Sequence, residues 1–148
     1  MSKPVDVPFE TTLLVRDVCL CLHMQRAARA LARRFDQALR PVGLTNGQFS
    51  LLMSLNRPEP PPMAPVASLL AMDRTTLTAA LKPLERRGLV EVAPDPADRR
   101  GRLLRLTQEG RALLRDALPI WEATHDAVEQ LLPGRDAEAF RTTLRALA

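Results

Sequence analysis

Four arginines fall within seven positions of "DPADRRGRLLRLT", residues 95–107: Arg99, Arg100, Arg102 and Arg105, preceded by Asp95 and Asp98. Pro96 and Gly101 mark a turn, and the alternation of "RLLRL" marks a strand after it. A guanidinium offers five donors in a fixed fork and stays charged, so a projecting cluster suits phosphates and base edges. A solvated turn is the plainer reading of any charge run, and only its neighbours separate the two. Just upstream, "RTTLTAALK" offers Arg74, Thr75, Thr76, Thr78 and Lys82 as donors and small contacts on a helix whose buried side is Leu77, Leu81 and Leu84. A donor-bearing helix and an arginine-loaded hairpin therefore follow one another along the chain.

Thiols and imidazoles are the other groups with chemistry to offer. Cys19 and Cys21 lie about 200° apart around a helix and do not bridge each other within one chain. Cys19 and His23 are spaced i, i+4, but two ligands make no site, and no metal is expected. The second histidine, His125, stands alone. The sequence carries no Gly-rich phosphate loop, metal-ligand triad or nucleophile elbow, and two unpartnered histidines are poor material for acid–base work. The chain reads as a binding protein rather than an enzyme, with no cofactor.

The elements that must position these groups follow from periodicity and punctuation. Leu14, Val18, Cys21, Met24, Ala28, Leu31, Phe35 and Leu39 recur at helical spacing, with Arg26, Arg29, Arg33 and Arg34 opposite, which predicts one long helix over about 9–39. Pro41 and Gly43 stop it, and Thr45 caps a second helix over about 46–55. "RPEPPP", residues 57–62, reads as a stiff surface connector, followed by a short helix at about 65–71. Asp73 caps the donor-bearing helix, which ends at Gly88 and should bend or lose hydrogen bonding at Pro83. "LVEVA" and "RLLRL" are short strands. Thr107 caps a last long helix to about 132, kinked at Pro119, and Asp136 starts a terminal helix.

At 148 residues, with 46% hydrophobic and 26% charged residues, the chain is expected to be one globular domain. Two cysteines, no apolar run in "MSKPVDVPFE" and no stretch near the roughly 20 residues of a membrane span point to a cytoplasmic protein with no membrane partner. The net charge of +4 is concentrated: residues 74–115 hold ten basic and five acidic residues. Clustered basic residues release counterions from phosphates, so double-stranded DNA is the expected partner. Two short helices followed by a two-stranded ribbon form the layout of a winged helix-turn-helix, here at about 45–106. The second helix can enter the major groove and the ribbon tip an adjacent minor groove. The fold class is mainly α with a small β-ribbon, and the helices at about 9–41 and 107–148 are the expected dimerisation layer, on the family resemblance set out next.

Residues 72–114 resemble the multiple antibiotic resistance regulator (MarR) family in their Thr-rich recognition helix, "LERRGLV", the Asp-x-Arg of Asp98-Arg99-Arg100, and "LTQEG". "GLTNGQFSLLMSL" resembles the family's second helix, and the resemblance extends over about 13–132. It implies a dimer on a palindromic operator, usually a repressor released by a signal. It also implies that Arg100 enters the minor groove while Asp98 pairs with its guanidinium, and that Arg99 and Arg102 reach phosphates. A narrow minor groove concentrates negative potential, which favours arginine there. Leu114, Leu118, Trp121, His125, Val128 and Leu132 follow a coiled-coil-like spacing that suits a dimer seam, or equally packing within the chain. A winged helix that binds only protein is the remote alternative.

The family binds small aromatic or lipophilic ligands near the junction of its dimer and DNA-binding parts, which implies an effector pocket lined by Phe35, Phe49, Met53 and Trp121. "VCLCLHMQRAAR", residues 18–29, resembles the first helix of the organic-hydroperoxide-sensing branch. Counting back from Thr45 and Gln48 places Cys21 on the oxidisable cysteine and matches Arg29. That branch surrounds its cysteine with tyrosines, and this chain has none; Gln25 and Phe35 take their places. Cys21 is thus either a redox thiol or a small apolar residue of the effector pocket. The second is preferred, because burial in an apolar stripe raises a thiol's pKa and makes it inert.

Overall fold

Side-chain caps set where most of the helices begin. The computed structural model describes Met1 and residues 6–148; residues 2–5, within the stretch read as lacking a leader, lie outside it. Its helices are α1 (Phe9–Val18), α2 (Leu20–Leu39), α3 (Asn46–Ser54), α4 (Met63–Leu69), α5 (Arg74–Arg86), α6 (Gln108–Glu129) and α7 (Ala137–Ala146), and its strands are β1 (Val90–Asp95) and β2 (Asp98–Leu106). The chain divides into two units, Met1–Arg34 and Phe35–Ala148, with the division inside α2. Among the described residues no helix is long and apolar enough to cross a membrane.

In the first unit the predicted single helix over 9–39 is interrupted at Cys19, which takes an extended ψ of 109°. Its N–H still donates to the Val15 carbonyl at 3.0 Å, closing α1. Its own carbonyl accepts from His23 N–H at 3.1 Å and from His23 Nδ1 at 2.8 Å, opening α2. Apolar periodicity runs across the break because side-chain spacing is blind to one residue's ψ. No residue of α1 is buried, and Phe9, Leu14, Val15 and Val18 are all exposed.

The second unit has the winged-helix core: Leu39, Leu52, Val66, Leu77, Leu84 and Leu104 are fully inaccessible to solvent. Thr45 and Gln48 form a reciprocal capping box at the start of α3, Thr45 Oγ1 accepting from Gln48 N–H at 3.2 Å and Gln48 Oε1 from Thr45 N–H at 3.1 Å. Asp73, Thr107 and Asp136 cap α5, α6 and α7 through the side chain alone, accepting from the N–H of Thr76, Gly110 and Ala139. α5 continues through Pro83 and ends at Gly88, φ +71°, where Leu89 N–H reaches the Leu84 carbonyl and Gly88 N–H the Glu85 carbonyl. That paired closure makes good the last carbonyls of the helix. α6 likewise continues through Pro119.

The ribbon is longer than the two predicted strands. Residues Val90 to Pro94 pair antiparallel with Leu106 to Arg102, and the register then shifts so that Asp95 faces Asp98. "RPEPPP" is more than a surface connector. Pro61 is buried, its carbonyl accepts from Leu104 N–H at 2.9 Å, and Pro62 bridges Leu103. The prolines serve as an edge to the ribbon, a place in a sheet where a missing N–H is harmless.

Candidate nucleic-acid interface

α5 carries its polar groups outward because its apolar ones recur every third or fourth residue. Leu77, Leu81 and Leu84 are buried, while Arg74, Thr75, Thr76, Thr78 and Lys82 are exposed. Asp73 Oδ1 accepts from Thr76 N–H at 2.7 Å, and hydrogen bonding by Thr76 holds the Asp73 carboxyl below its ordinary pKa. Thr78 donates its hydroxyl proton to the Arg74 carbonyl at 2.8 Å, which leaves that hydroxyl as an acceptor toward anything outside. Arg74, Thr75 and Lys82 are therefore outward donors along this helix, with Arg86 at its end.

The ribbon tip presents the second donor set. Arg99, Arg100 and Gly101 have no cross-strand partners in the β1–β2 register, so they stand out of the ladder as a bulge. Arg99, Arg100 and Arg102 are exposed, and none forms an ion pair among the described residues. Arg102 donates only to the neighbouring Gly101 carbonyl, at 3.1 Å. Arg105, the fourth arginine of the run, pairs with Glu91 on the adjacent strand. The expected contact between Asp98 and the Arg100 guanidinium is absent. Asp98 Oδ1 accepts instead from the Arg100 backbone N–H at 3.0 Å, as an aspartate does when it folds a turn two residues on. Arg74 Nη2 approaches the Arg100 carbonyl at 3.5 Å, so the main chain of Arg100 is met on both its amide and carbonyl sides.

The wing's root is tied to the ends of its neighbouring helices by one threonine. Thr107 N–H donates to the Leu89 carbonyl at 3.1 Å, Thr107 Oγ1 donates to the Gly88 carbonyl at 2.6 Å, and the same oxygen accepts from Gly110 N–H at 3.0 Å. A Cβ on Gly110 would collide with the Leu89 carbonyl oxygen. "LT..G" is thus the packing of α6 against the end of α5 and the start of β1.

Behind α3, Phe35, Leu39, Asn46, Phe49, Ser50 and Trp121 line a cavity of about 150 Å³. Phe49 and Trp121 stack with ring centres 5.9 Å apart and 14° between planes. His125 stacks on Trp121 at 4.7 Å and 18°. Asn46 is fixed by Asp36, whose Oδ1 accepts from its backbone N–H at 2.7 Å and its Nδ2 at 2.8 Å; the backbone bond, then the side-chain bond, lowers the Asp36 pKa. Of the residues the family resemblance implied for a pocket, Phe35, Phe49 and Trp121 line this one. Met53 packs against the core instead, and Asn46 and Ser50, which lie i, i+4 on one face of α3, were missed.

Two further expectations need correction. Cys21 is exposed in its unit rather than buried in a stripe, and Gln25 Nε2 points to its Sγ at 3.4 Å. Leu114 is 6% exposed and belongs to the core with Ala117, so it does not lie on an outward seam. Leu118 is exposed, while His125, Val128 and Leu132 are half-buried. No group of three or more candidate metal ligands occurs among the described residues.

Residues 44–101, from the start of α3 to the wing bulge, match the MarR family. The chain is also 33% identical over 132 residues to the transcriptional repressor MprA of Escherichia coli, covering 88% of this chain and 70% of that protein. This chain belongs to the MarR family of DNA-binding transcriptional regulators. Its relatives are regulators rather than enzymes. Among MarR-type structures, MosR of M. tuberculosis in complex with DNA superposes with a TM-score of 0.80 at 37% identity, covering 87% of this chain and 92% of that one. CouR from Rhodococcus jostii RHA1, bound to p-coumaroyl-CoA, superposes with a TM-score of 0.75 at 28% identity, covering 88% and 92%.

Proposed function

We propose that this protein is a homodimeric repressor that reads a palindromic operator with one α5 and one wing per half-site, and that a small lipophilic or aromatic effector releases it. The observation that carries the reading is the pairing of outward donors on α5 with the unpaired Arg99–Arg100 bulge beside it. In this reading Arg74, Thr75, Thr76, Thr78 and Lys82 face the major groove, Arg100 enters the minor groove, and Arg99 and Arg102 meet phosphates. DNA-bound MosR supports the docking, and CouR with p-coumaroyl-CoA supports an aromatic effector. The effector site is the cavity of Phe35, Phe49 and Trp121, whose stacked wall suits a planar ring.

The test is a mobility shift of the full chain with the DNA upstream of its own gene, repeated with a panel of aromatic acids and their coenzyme A thioesters. A specific shift that one compound of the panel reverses is expected. A protein that shifts no duplex is a protein-binding winged helix, and the proposal fails. A second reading, a thiol switch at Cys21, is favoured by the exposure of that sulfur and the Gln25 amide directed at it. It predicts that organic hydroperoxide releases wild type from DNA, that reductant restores binding, and that Cys21→Ser is insensitive.

A further inference from the structure

Resting on that DNA-binding reading, we propose that Asp95 is a positioning residue for Arg100, acting from the opposite strand of the wing. The two residues of the hairpin turn, Pro96 and Ala97, are closed by Asp95 itself, whose Oδ1 accepts from Ala97 N–H at 2.9 Å. Asp98 makes the next bond, to Arg100 N–H at 3.0 Å, so two consecutive aspartate turns fold the tip. The bulge then leans back on both of them. A Cβ on Gly101 would lie 3.3 Å from Asp95 Cβ, 3.3 Å from Asp98 Cβ and 3.2 Å from Asp98 Oδ2.

Neither carboxylate is spent on an arginine: no ion pair joins Asp95 or Asp98 to Arg99, Arg100 or Arg102 among the described residues. Placing acids beside the DNA-seeking arginines works against phosphate attraction, so their service must be conformational. Asp95 is half-buried at the root of the turn, and its Cβ, with that of Asp98, borders the space a side chain on Gly101 would take. An arginine on a tip folded in advance loses less freedom when it enters a groove, whereas an arginine on an open loop must be ordered at the moment of binding. Asp95 therefore matters where Arg100 is inserted in one geometry, and not where the wing lies loosely along phosphates.

The experiment compares Asp95→Asn with Asp95→Ala in the full chain. Both remove the same charge, but only asparagine keeps the oxygen that accepts from Ala97 N–H. Each is titrated with an upstream duplex that wild type shifts and with a shuffled duplex of equal length, and thermal unfolding checks the fold. Asp95→Ala should bind the upstream duplex about three- to tenfold more weakly than Asp95→Asn, the range of one turn hydrogen bond at about 1.4 kcal/mol per tenfold. The two variants should bind the shuffled duplex alike. In an Arg100→Ala background the difference between alanine and asparagine should disappear, since Asp95 acts through that residue. Equal affinities of the two variants for the upstream duplex, or a difference that survives Arg100→Ala, would overturn the inference alone. A wild type that failed to distinguish the duplexes would overturn the operator reading and this one with it.

Discussion

Arg100 and Arg102 lie two residues apart on one strand, yet the wing holds them in different settings. Arg100 sits in the bulge, its amide held by Asp98, whereas Arg102 faces Pro94 in the regular ladder. Arg100→Ala should cost roughly 1–3 kcal/mol of binding per half-site and relax sequence preference, while Arg102→Ala should weaken all duplexes alike and lower the salt slope by about one unit. Affinity titrations of both variants at several salt concentrations measure this; full operator affinity in Arg100→Ala would remove the wing from the recognition scheme. Gly110 stands at the other end of the same strand pair. Gly110→Ala places a methyl against the Leu89 carbonyl, where backbone on both sides resists movement. It should destabilise the fold by at least about 2 kcal/mol, read as a shift of the urea midpoint, and wing and α5 should lose DNA binding together.

The elements are where the sequence was most and least legible. Thr45, Asp73, Thr107 and Asp136 are residue types that cap helices, each stands before an apolar-periodic run, and each caps the helix expected of it. The break at Cys19 carries no Gly, Pro or ordinary capping residue; Cys19 Sγ accepts from Leu22 N–H at 3.5 Å, a cap that residue type does not announce. The prolines at 61 and 62 looked like punctuation because their strand role depends on Leu103 and Leu104, some forty residues away. At the candidate site, residue type and spacing located the donors on α5 and the wing. They could not tell that the Asp98 carboxylate would choose a backbone amide two residues on over a flexible guanidinium. The link from α2 to α3 through Asp36 and Asn46 was equally hidden, and it has a measurable signature. Asp36 is held below its unfolded pKa of about 3.9, so its contribution is complete above that value and is lost as pH falls through the lower folded value. Urea unfolding from pH 6 down to pH 2 should show Asp36→Asn losing less stability than wild type over the acid limb. Parallel curves would mean that Asp36 titrates alike in both states.

At the scale of the molecule, the exposed apolar side chains have a clear distribution. Phe9, Leu14, Val15, Val18 and Leu20 lie on α1 and the start of α2, and Leu118, Leu131, Phe140 and Leu147 on or beside α6 and α7; between them, only Met24 and Leu69 are large exposed hydrophobics among the described residues. Monomeric proteins rarely leave so many large apolar groups outside, and the palindrome reading proposed above would need two copies. α7 is suited to carry part of that interface. Phe140, Leu144 and Leu147 follow i, i+4, i+7 along it, and Arg141 anchors it to α6 by donating to Glu129 at 3.0 Å. Arg141 also pairs with Glu138, whose pKa is lowered first by Arg145 and then by Arg141, so the charged face of α7 is satisfied within the chain while its apolar face is not. Phe140→Asp should therefore convert a dimer into a monomer at micromolar concentration while leaving the helical circular dichroism signal intact, because Phe140 is 44% exposed and contributes little to the core of one chain. The monomer keeps α5 and the wing but reads one half-site, so its operator affinity should fall by at least about a hundredfold, the factor lost when a second site is no longer tethered. Sedimentation of wild type and variant beside operator titrations checks both statements, and a wild type that sediments as a folded monomer while binding a palindrome tightly would refute them.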